Sequence, residues 1–136
     1  MATGGAKKRI LIIEDEREIS HILKLRLESA GYEVLQAFDG EQGYKMAVGQ
    51  KPDLILLDLI LPQKGGLQVL DDLKADAKHR KIPVILITGL AQELEDVRKG
   101  ALMADGYFLK PFDSLELMAA IAASFDKGTS RRNSRA

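Results

Sequence analysis

The chain has 136 residues, 46% of them hydrophobic, which predicts one domain with an ordinary globular core. Its 20 lysines and arginines balance 20 aspartates and glutamates, so the bulk charge predicts no binding to membranes or, for this chain alone, to nucleic acid. The absence of cysteine excludes disulfides and thiolate metal sites and favours the cytoplasmic location that we predict.

The first half of the chain predicts two strands and two helices in alternation. The apolar run over residues 9–13 is a predicted buried strand, and the following amphipathic helix ends at Gly31. The apolar face of that helix is predicted to consist of Ile19, Ile22, Leu23, Leu27 and Ala30. Residues 32–37 predict a weaker strand, after which Asp39 caps a short helix that ends at Gly49.

The second half predicts three further strands, over residues 53–58, 84–87 and 106–109, each followed by a helix. The fourth helix is predicted to face the core through Leu90, Leu94, Val97 and Ala101. A capping box at Asp113 opens the last helix, which runs to about Phe125. This helix has two apolar rows, one of Leu115, Met118, Ala122 and Phe125 and the other of Leu117, Ala120 and Ile121. One row suffices for the core, and the other either adds to the packing or forms a partner surface, such as a homodimer interface.

The alternation of strands and helices predicts an α/β fold. We expect a doubly wound, five-stranded parallel sheet with helices on both faces and right-handed crossovers. The domain would span residues 9–125, between a flexible N-terminus at 1–8 and a polar, disordered tail at 126–136.

Asp58 interrupts the most apolar stretch of the chain, Leu54 to Pro62. A continuous apolar run of this length predicts a strand buried on both faces. A buried carboxylate is costly unless it is paired, hydrogen-bonded or bound to metal. The sequence therefore predicts a partner for Asp58.

Polar residues end four of the predicted strands: Glu14 and Asp15 the first, Asp58 the third, Thr88 the fourth and Lys110 the fifth. The carboxyl ends of parallel strands share one edge of the sheet, where ligands of such folds bind. Carboxylates about 4 Å apart repel by roughly 4 kcal/mol per pair at an effective dielectric constant near 20. Mg²⁺ would remove this repulsion, and a lysine with a hydroxyl suits a phosphoryl group.

Asp58 is the predicted acceptor of that phosphoryl group. No glycine-rich cradle precedes a lysine, so the chain has no nucleotide P-loop. Carboxylates form aspartyl phosphates in proteins, and Asp58 is the central one here.

In this order and spacing, the residues resemble the receiver domain of two-component response regulators, similar to the chemotaxis response regulator, over roughly Arg9 to Phe125. The residues that carry the resemblance are Glu14-Asp15, Asp58, Pro62, Gly65-Gly66, Thr88-Gly89 and Tyr107-Phe108-Leu109-Lys110-Pro111-Phe112. The resemblance implies a flavodoxin-like receiver fold. It also implies a phosphorelay signalling switch that catalyses only its own Mg²⁺-dependent phosphorylation and slow dephosphorylation, and is not otherwise an enzyme.

The resemblance further implies a phosphoryl donor and a metal site. Asp58 would accept the phosphoryl group from a histidine kinase or a histidine phosphotransfer protein. Asp15, Asp58 and the main-chain carbonyl of Ile60 would hold Mg²⁺, with Glu14 acting nearby or through water.

The remaining implied roles concern the switch. Thr88 and Lys110 would bind phosphoryl oxygens, Tyr107 would move inward with Thr88, and the Lys110–Pro111 bond would be cis. Phosphorylation would change the face formed by the fourth helix, fifth strand and fifth helix. That face would act on an unknown downstream protein or on the chain's own output domain.

Three positions qualify the resemblance. Glu14 stands where the family usually has aspartate, so a receiver-like binding module that works without phosphorylation is an alternative. Ile60 and Leu90 would flank the hydrolysing water, and their apolar side chains predict slow dephosphorylation. A phosphohydrolase of the haloacid-dehalogenase type is a further alternative, but such enzymes have a second aspartate at the position of Ile60.

Overall fold

A computed structural model describes residues 7–89 and 95–126. The strands in these ranges are β1 (Arg9–Ile13), β2 (Glu33–Ala37), β3 (Leu54–Leu57), β4 (Val84–Thr88) and β5 (Gly106–Leu109). The helices are α1 (Arg17–Ser29), α2 (Gly40–Gln50), α3 (Gly66–Ala75), α4 (Glu95–Met103) and α5 (Ser114–Phe125). The strands form one parallel sheet of order β2-β1-β3-β4-β5, which confirms the predicted fold class.

Several predictions fall on residues that the structure does not describe. Residues 1–6 and 127–136 contain most of the predicted flexible N-terminus and tail and lie outside the described ranges. The predicted core positions Leu90 and Leu94 also lie outside them, as does the side chain of Val97.

The three central strands are buried because helices cover both faces of the sheet. Successive residues of β1 alternate between two hydrophobic clusters, as the twofold period of a strand requires. Leu11 and Ile13 belong to the cluster that contains residues of α3, whereas Ile10 and Ile12 belong to the cluster with residues of α1 and α5.

The apolar face of α1 is narrower than predicted. Leu23 and Leu27 are buried and Ile19 is partly buried, but Ile22 is 52% exposed and Ala30 is exposed. The prediction for Ile22 and Ala30 was wrong. A helix turns about 100° per residue, so Ile22 lies beside the stripe formed by positions 19, 23 and 27.

The two predicted capped helix starts are confirmed. The carboxylate of Asp39 accepts a hydrogen bond from Gln42 N at 2.7 Å, and that of Asp113 accepts from Leu115 N at 2.8 Å. The predicted end of α2 at Gly49 is one residue early, because the helix continues to Gln50. Lys51 then follows in the left-handed conformation, with φ of 50°.

Of the two apolar rows of α5, only part lies in the core. Leu117 and Ile121 are fully buried, whereas Leu115 is 79% exposed. The row that contains Leu117 therefore packs on the sheet, and Leu115 lies on the solvent side. No helix in the described part of the chain has the length and apolarity needed to span a bilayer.

The sheet brings the predicted polar strand ends to one edge. Main-chain hydrogen bonds join Asp58 N to Ile13 O at 3.0 Å, and Lys110 N to Thr88 O at 2.8 Å. The residues just beyond β3 and β5 are therefore held at the carboxyl edge, next to the last residues of β1 and β4.

Candidate functional site

Lys110 lies at the centre of the site and contacts three carboxylates. Its Nζ is 2.6 Å from Glu14 Oε1, 2.9 Å from Asp58 Oδ2 and 2.9 Å from Glu16 Oε1. A lysine ammonium has three donor hydrogens, so it can donate one to each carboxylate. The partner that the sequence required for Asp58 is therefore Lys110. The peptide bond between Lys110 and Pro111 is cis.

Asp58 is held through both of its carboxylate oxygens. The side chain is buried, with 3% of the residue exposed, and Oδ1 accepts a hydrogen bond from Ile60 N at 3.1 Å. Oδ2 accepts from Lys110 Nζ. These bonds fix the orientation of the carboxylate at the end of β3.

Glu14 is the most buried acid of the site. It is 0% exposed, and its Oε2 accepts a hydrogen bond from Glu16 N at 3.0 Å. Burial raises the pKa of Glu14 from an ordinary 4.5 to about 7, against the opposing hydrogen bonds from Lys110 and Glu16 N. The charge of Asp58 raises the pKa further. Glu14 therefore changes its charge near neutral pH.

The pKa of Lys110 moves in the direction that keeps the ammonium charged. Burial alone would lower this pKa, but the hydrogen bonds to Glu14, Asp58 and Glu16 together raise it above its ordinary value. Lys110 is therefore a permanent positive charge beside Asp58.

The acids of the site form a set of oxygen donors. Carboxylate oxygens of Glu14, Glu16 and Asp58 lie within 4.8 Å of one another. Oxygen ligands alone suit a hard cation such as Mg²⁺, and such a cation would offset the repulsion between the acids. The residues present therefore fit a magnesium ion.

Glu16 was not predicted as a site residue. It occupies the N-cap position of α1, where its side chain makes no capping hydrogen bond and reaches Lys110 instead. The signal in the sequence was the run of three acids after β1, of which only the first two were assigned to the site.

The other predicted site residues differ in their exposure. Asp15 is exposed and is absent from the described group of clustered carboxylates. Thr88 is 0% exposed at the end of β4. Tyr107 is partly buried against the core in β5, and Ile60 is 54% exposed beyond Asp58.

The fold and the site define a class of signalling domain, and comparisons with known proteins agree. The family described as the response regulator receiver domain matches residues 10–122. The chain belongs to this family of two-component signalling switches. The predicted fold, family and receiver function are thereby confirmed.

Among curated relatives, the chain is 44% identical over 115 residues to the DNA-binding dual master transcriptional regulator RpaA of Synechocystis sp.. That match covers 85% of this chain and 48% of the relative. The chain is also 40% identical to the phosphate regulon transcriptional regulatory protein PhoB of Pseudomonas aeruginosa, over 85% of this chain and 51% of the relative. It thus spans about half the length of these curated relatives.

Solved structures show the same fold. A CheY-like receiver domain protein from Methanospirillum hungatei has a TM-score of 0.84 at 28% identity, covering 93% of this chain and 99% of that one. The response regulator TrrA of Thermotoga maritima, solved in complex with Mg²⁺-BeF, has a TM-score of 0.76 at 32% identity. That match covers 86% of this chain and 98% of TrrA.

Proposed function

We propose that Asp58 of this receiver domain is the phosphoacceptor, and that its donor is a phosphohistidine on a histidine kinase or a histidine phosphotransfer protein. The observation that supports this role is the contact of Asp58 Oδ2 with Lys110 Nζ at 2.9 Å inside a set of converging carboxylates. An isolated buried aspartate would need only one partner. The converging carboxylates also suit a metal ion, and the lysine suits a phosphoryl group.

In the proposed transfer, a carboxylate oxygen of Asp58 attacks the phosphorus atom. The new O–P bond replaces the P–N bond of the phosphohistidine, and the electron pair of the broken bond returns to the imidazole nitrogen. Lys110 and Thr88 would donate hydrogen bonds to the phosphoryl oxygens. Lys110 already lies against Asp58, and Thr88 ends the neighbouring strand.

The proposed metal ligands are Asp15, Asp58 and the main-chain carbonyl of Ile60, with Glu14 nearby or through water. A bound Mg²⁺ would supply positive charge that stabilises the developing charge on the transferred group. The carboxylate cluster of this chain supports the parts of Asp58 and Glu14, and the Mg²⁺-BeF complex of TrrA supports a magnesium ion at such a site. Asp15 is exposed and would ligate the ion from the solvent side.

The proposed output of phosphorylation is a change in the face formed by α4, β5 and α5, with Thr88 and Tyr107 as the moving residues. This face carries exposed apolar side chains that suit a partner, with Leu102 82% exposed and Leu109 49% exposed. The partner would be a downstream protein, the output domain of a longer chain, or a second copy that docks through α5.

Acetyl phosphate with Mg²⁺ tests the proposed function. The wild-type protein should gain the mass of one phosphate, and Asp58→Asn should gain none, because the nucleophilic oxygen is lost. Asp53→Asn is a matched control, since Asp53 precedes the same strand at its opposite end and accepts a hydrogen bond from Arg9 N. Intact-protein mass spectrometry checks the result. If the wild-type protein gains no phosphate, the alternative of a phosphorylation-independent binding module replaces this proposal.

We expect the aspartyl phosphate to be long-lived, because the exposed side chain of Ile60 is apolar and cannot orient a hydrolysing water. Ile60→Asn supplies an amide that can do so and should shorten the half-life several-fold, by about one kcal/mol of barrier. The half-life is measured from the decay of the phosphorylated mass after the donor is removed. An unchanged half-life in Ile60→Asn would contradict this role of position 60.

A further inference from the structure

Residues 58–65 connect β3 to α3 and form the β3–α3 loop. It carries the Ile60 carbonyl that is the proposed metal ligand. Gly66 N, at the start of α3, donates a hydrogen bond to Leu59 O at 3.1 Å, which closes the loop at its base. Ile60 N is held by its hydrogen bond to Asp58 Oδ1, so the direction of the Ile60 carbonyl depends on how the residues that follow it in the loop are held.

The first turn of α2 holds the middle of the loop. Gly40 N donates a hydrogen bond to Pro62 O at 3.2 Å. A Cβ at Gly40 would lie 1.6 Å from the carbonyl oxygen of Lys64, so the two backbones are in direct contact. Gln63, between these two contact points, has a φ of 70°, which a non-glycine residue adopts only when surrounding contacts hold it.

The side chain of Lys64 holds the outer end of the loop. Its Nζ is 2.5 Å from Asp72 Oδ2 on α3 and 4.0 Å from the ring centroid of Tyr44 on α2. The Lys64 side chain is only 20% exposed. The hydrogen bond from Lys64 also holds the pKa of Asp72 below its ordinary value. One ammonium group thus joins the loop to both helices beneath it.

We propose that Lys64 is a positioning residue for the magnesium site. By tying the β3–α3 loop to Tyr44 and Asp72, it holds the Ile60 carbonyl where the metal requires an oxygen ligand. Metal sites lose affinity when the groups that orient their ligands are removed, and a main-chain ligand can be oriented only through its loop. This inference rests on the proposed function, because it assumes that the site binds Mg²⁺.

The experiment compares the magnesium affinities of Lys64→Met and Lys74→Met by NMR titration with MgCl₂ alone. Methionine keeps an apolar stem and removes the ammonium in both variants. Lys74 is a matched control because its side chain is 19% exposed and its ammonium also joins two segments, from α3 to the carbonyls of Arg80 and Ile82. Lys74 lies at the C-terminal end of α3 and pairs with Asp105, which precedes β5 at the end of that strand opposite to Lys110.

Lys64→Met is expected to bind Mg²⁺ about tenfold more weakly than the wild type, at the lower end of the range for groups that orient metal ligands. Its amide hydrogens at Leu61 and Gln63 should also exchange faster. Lys74→Met should bind Mg²⁺ like the wild type even where its melting temperature falls, which separates loop positioning from global stability.

The proposal is overturned if Lys64→Met binds Mg²⁺ like the wild type, or if Lys74→Met weakens binding equally. Should Lys64→Met fail to fold, Asp72→Asn removes the same ion pair from the α3 side. Its magnesium affinity is then compared with those of the wild type and Lys74→Met. A wild-type protein that binds no Mg²⁺ overturns the metal part of the proposed function as well. If the wild-type protein binds Mg²⁺ and Lys64→Met binds it equally well, only the proposed role of Lys64 is overturned.

Discussion

Replacing Gly40 with alanine is expected to lower the free energy of unfolding by about 3 kcal/mol, near the upper end of overpacking costs. The added Cβ would lie 1.6 Å from the carbonyl oxygen of Lys64 and 2.5 Å from its carbonyl carbon. Both atoms belong to the main chain, so no side-chain rotation can relieve the clash. Either α2 or the β3–α3 loop must move.

Gly49→Ala in the same helix is the matched control. A Cβ at Gly49 would have no neighbouring atom within 4 Å. Alanine there should raise the free energy of unfolding by about 0.5 kcal/mol, because alanine favours the helical conformation more than glycine does. Urea denaturation followed by circular dichroism measures both variants. Equal effects of the two substitutions would show that α2 does not contact the loop as described.

In the absence of Mg²⁺, the domain is expected to become less stable as pH rises from 5 to 8. The pKa of Glu14 is about 7 in the folded protein and 4.5 ordinarily, so between these values the folded state binds more protons than the unfolded state. Folding stability then falls with rising pH, by roughly 2–3 kcal/mol across this interval at about 1.4 kcal/mol per pKa unit.

Glu14→Gln should flatten this pH dependence, because its amide does not titrate. Chemical denaturation of both proteins at several pH values, without divalent cations, measures the difference. Asp72 and Asp76 have lowered pKa values, so the stability they contribute is lost only at more acidic pH, below their ordinary 3.8. If the wild type and Glu14→Gln had parallel stability curves, Glu14 would not titrate as the structure indicates.

The buried centre of the site was predictable because two simple constraints determine it. An apolar run predicts a buried strand, and a carboxylate in that run requires a partner. Parallel strands then bring their carboxyl ends together, so the sequence alone predicts that Lys110 lies near Asp58. The structure adds the distance of 2.9 Å, the burial of Asp58 and the partial burial of Lys110.

The roles of the acids after β1 were less predictable. Glu14 and Asp15 are adjacent at the end of a strand, where successive side chains point to opposite sides. Glu14 is buried against Lys110 and Asp15 is exposed, yet the resemblance gives Asp15 the leading metal role. Glu16 belongs to the first turn after the strand, and its contact with Lys110 depends on how α1 is placed by tertiary packing.

The resting structure also bears on how the switch would work. Lys110 already contacts three carboxylates, so an arriving phosphoryl group would exchange with one of them. The free energy gained when Lys110 binds the phosphoryl group is therefore smaller than that of a newly formed charge-assisted hydrogen bond, which is worth about 1.5–3 kcal/mol. Under the proposed mechanism, Thr88 and the metal would supply more of the free energy that shifts the output face.

Locating the acyl phosphate on the chain tests the central claim most directly. The protein is treated with acetyl phosphate and Mg²⁺, reduced with borohydride to convert a phosphorylated aspartate to homoserine, digested and sequenced by tandem mass spectrometry. We predict homoserine at position 58 and at no other aspartate. Homoserine at Asp15 or Asp53, or at no position, would contradict the assignment of Asp58 as the phosphoacceptor.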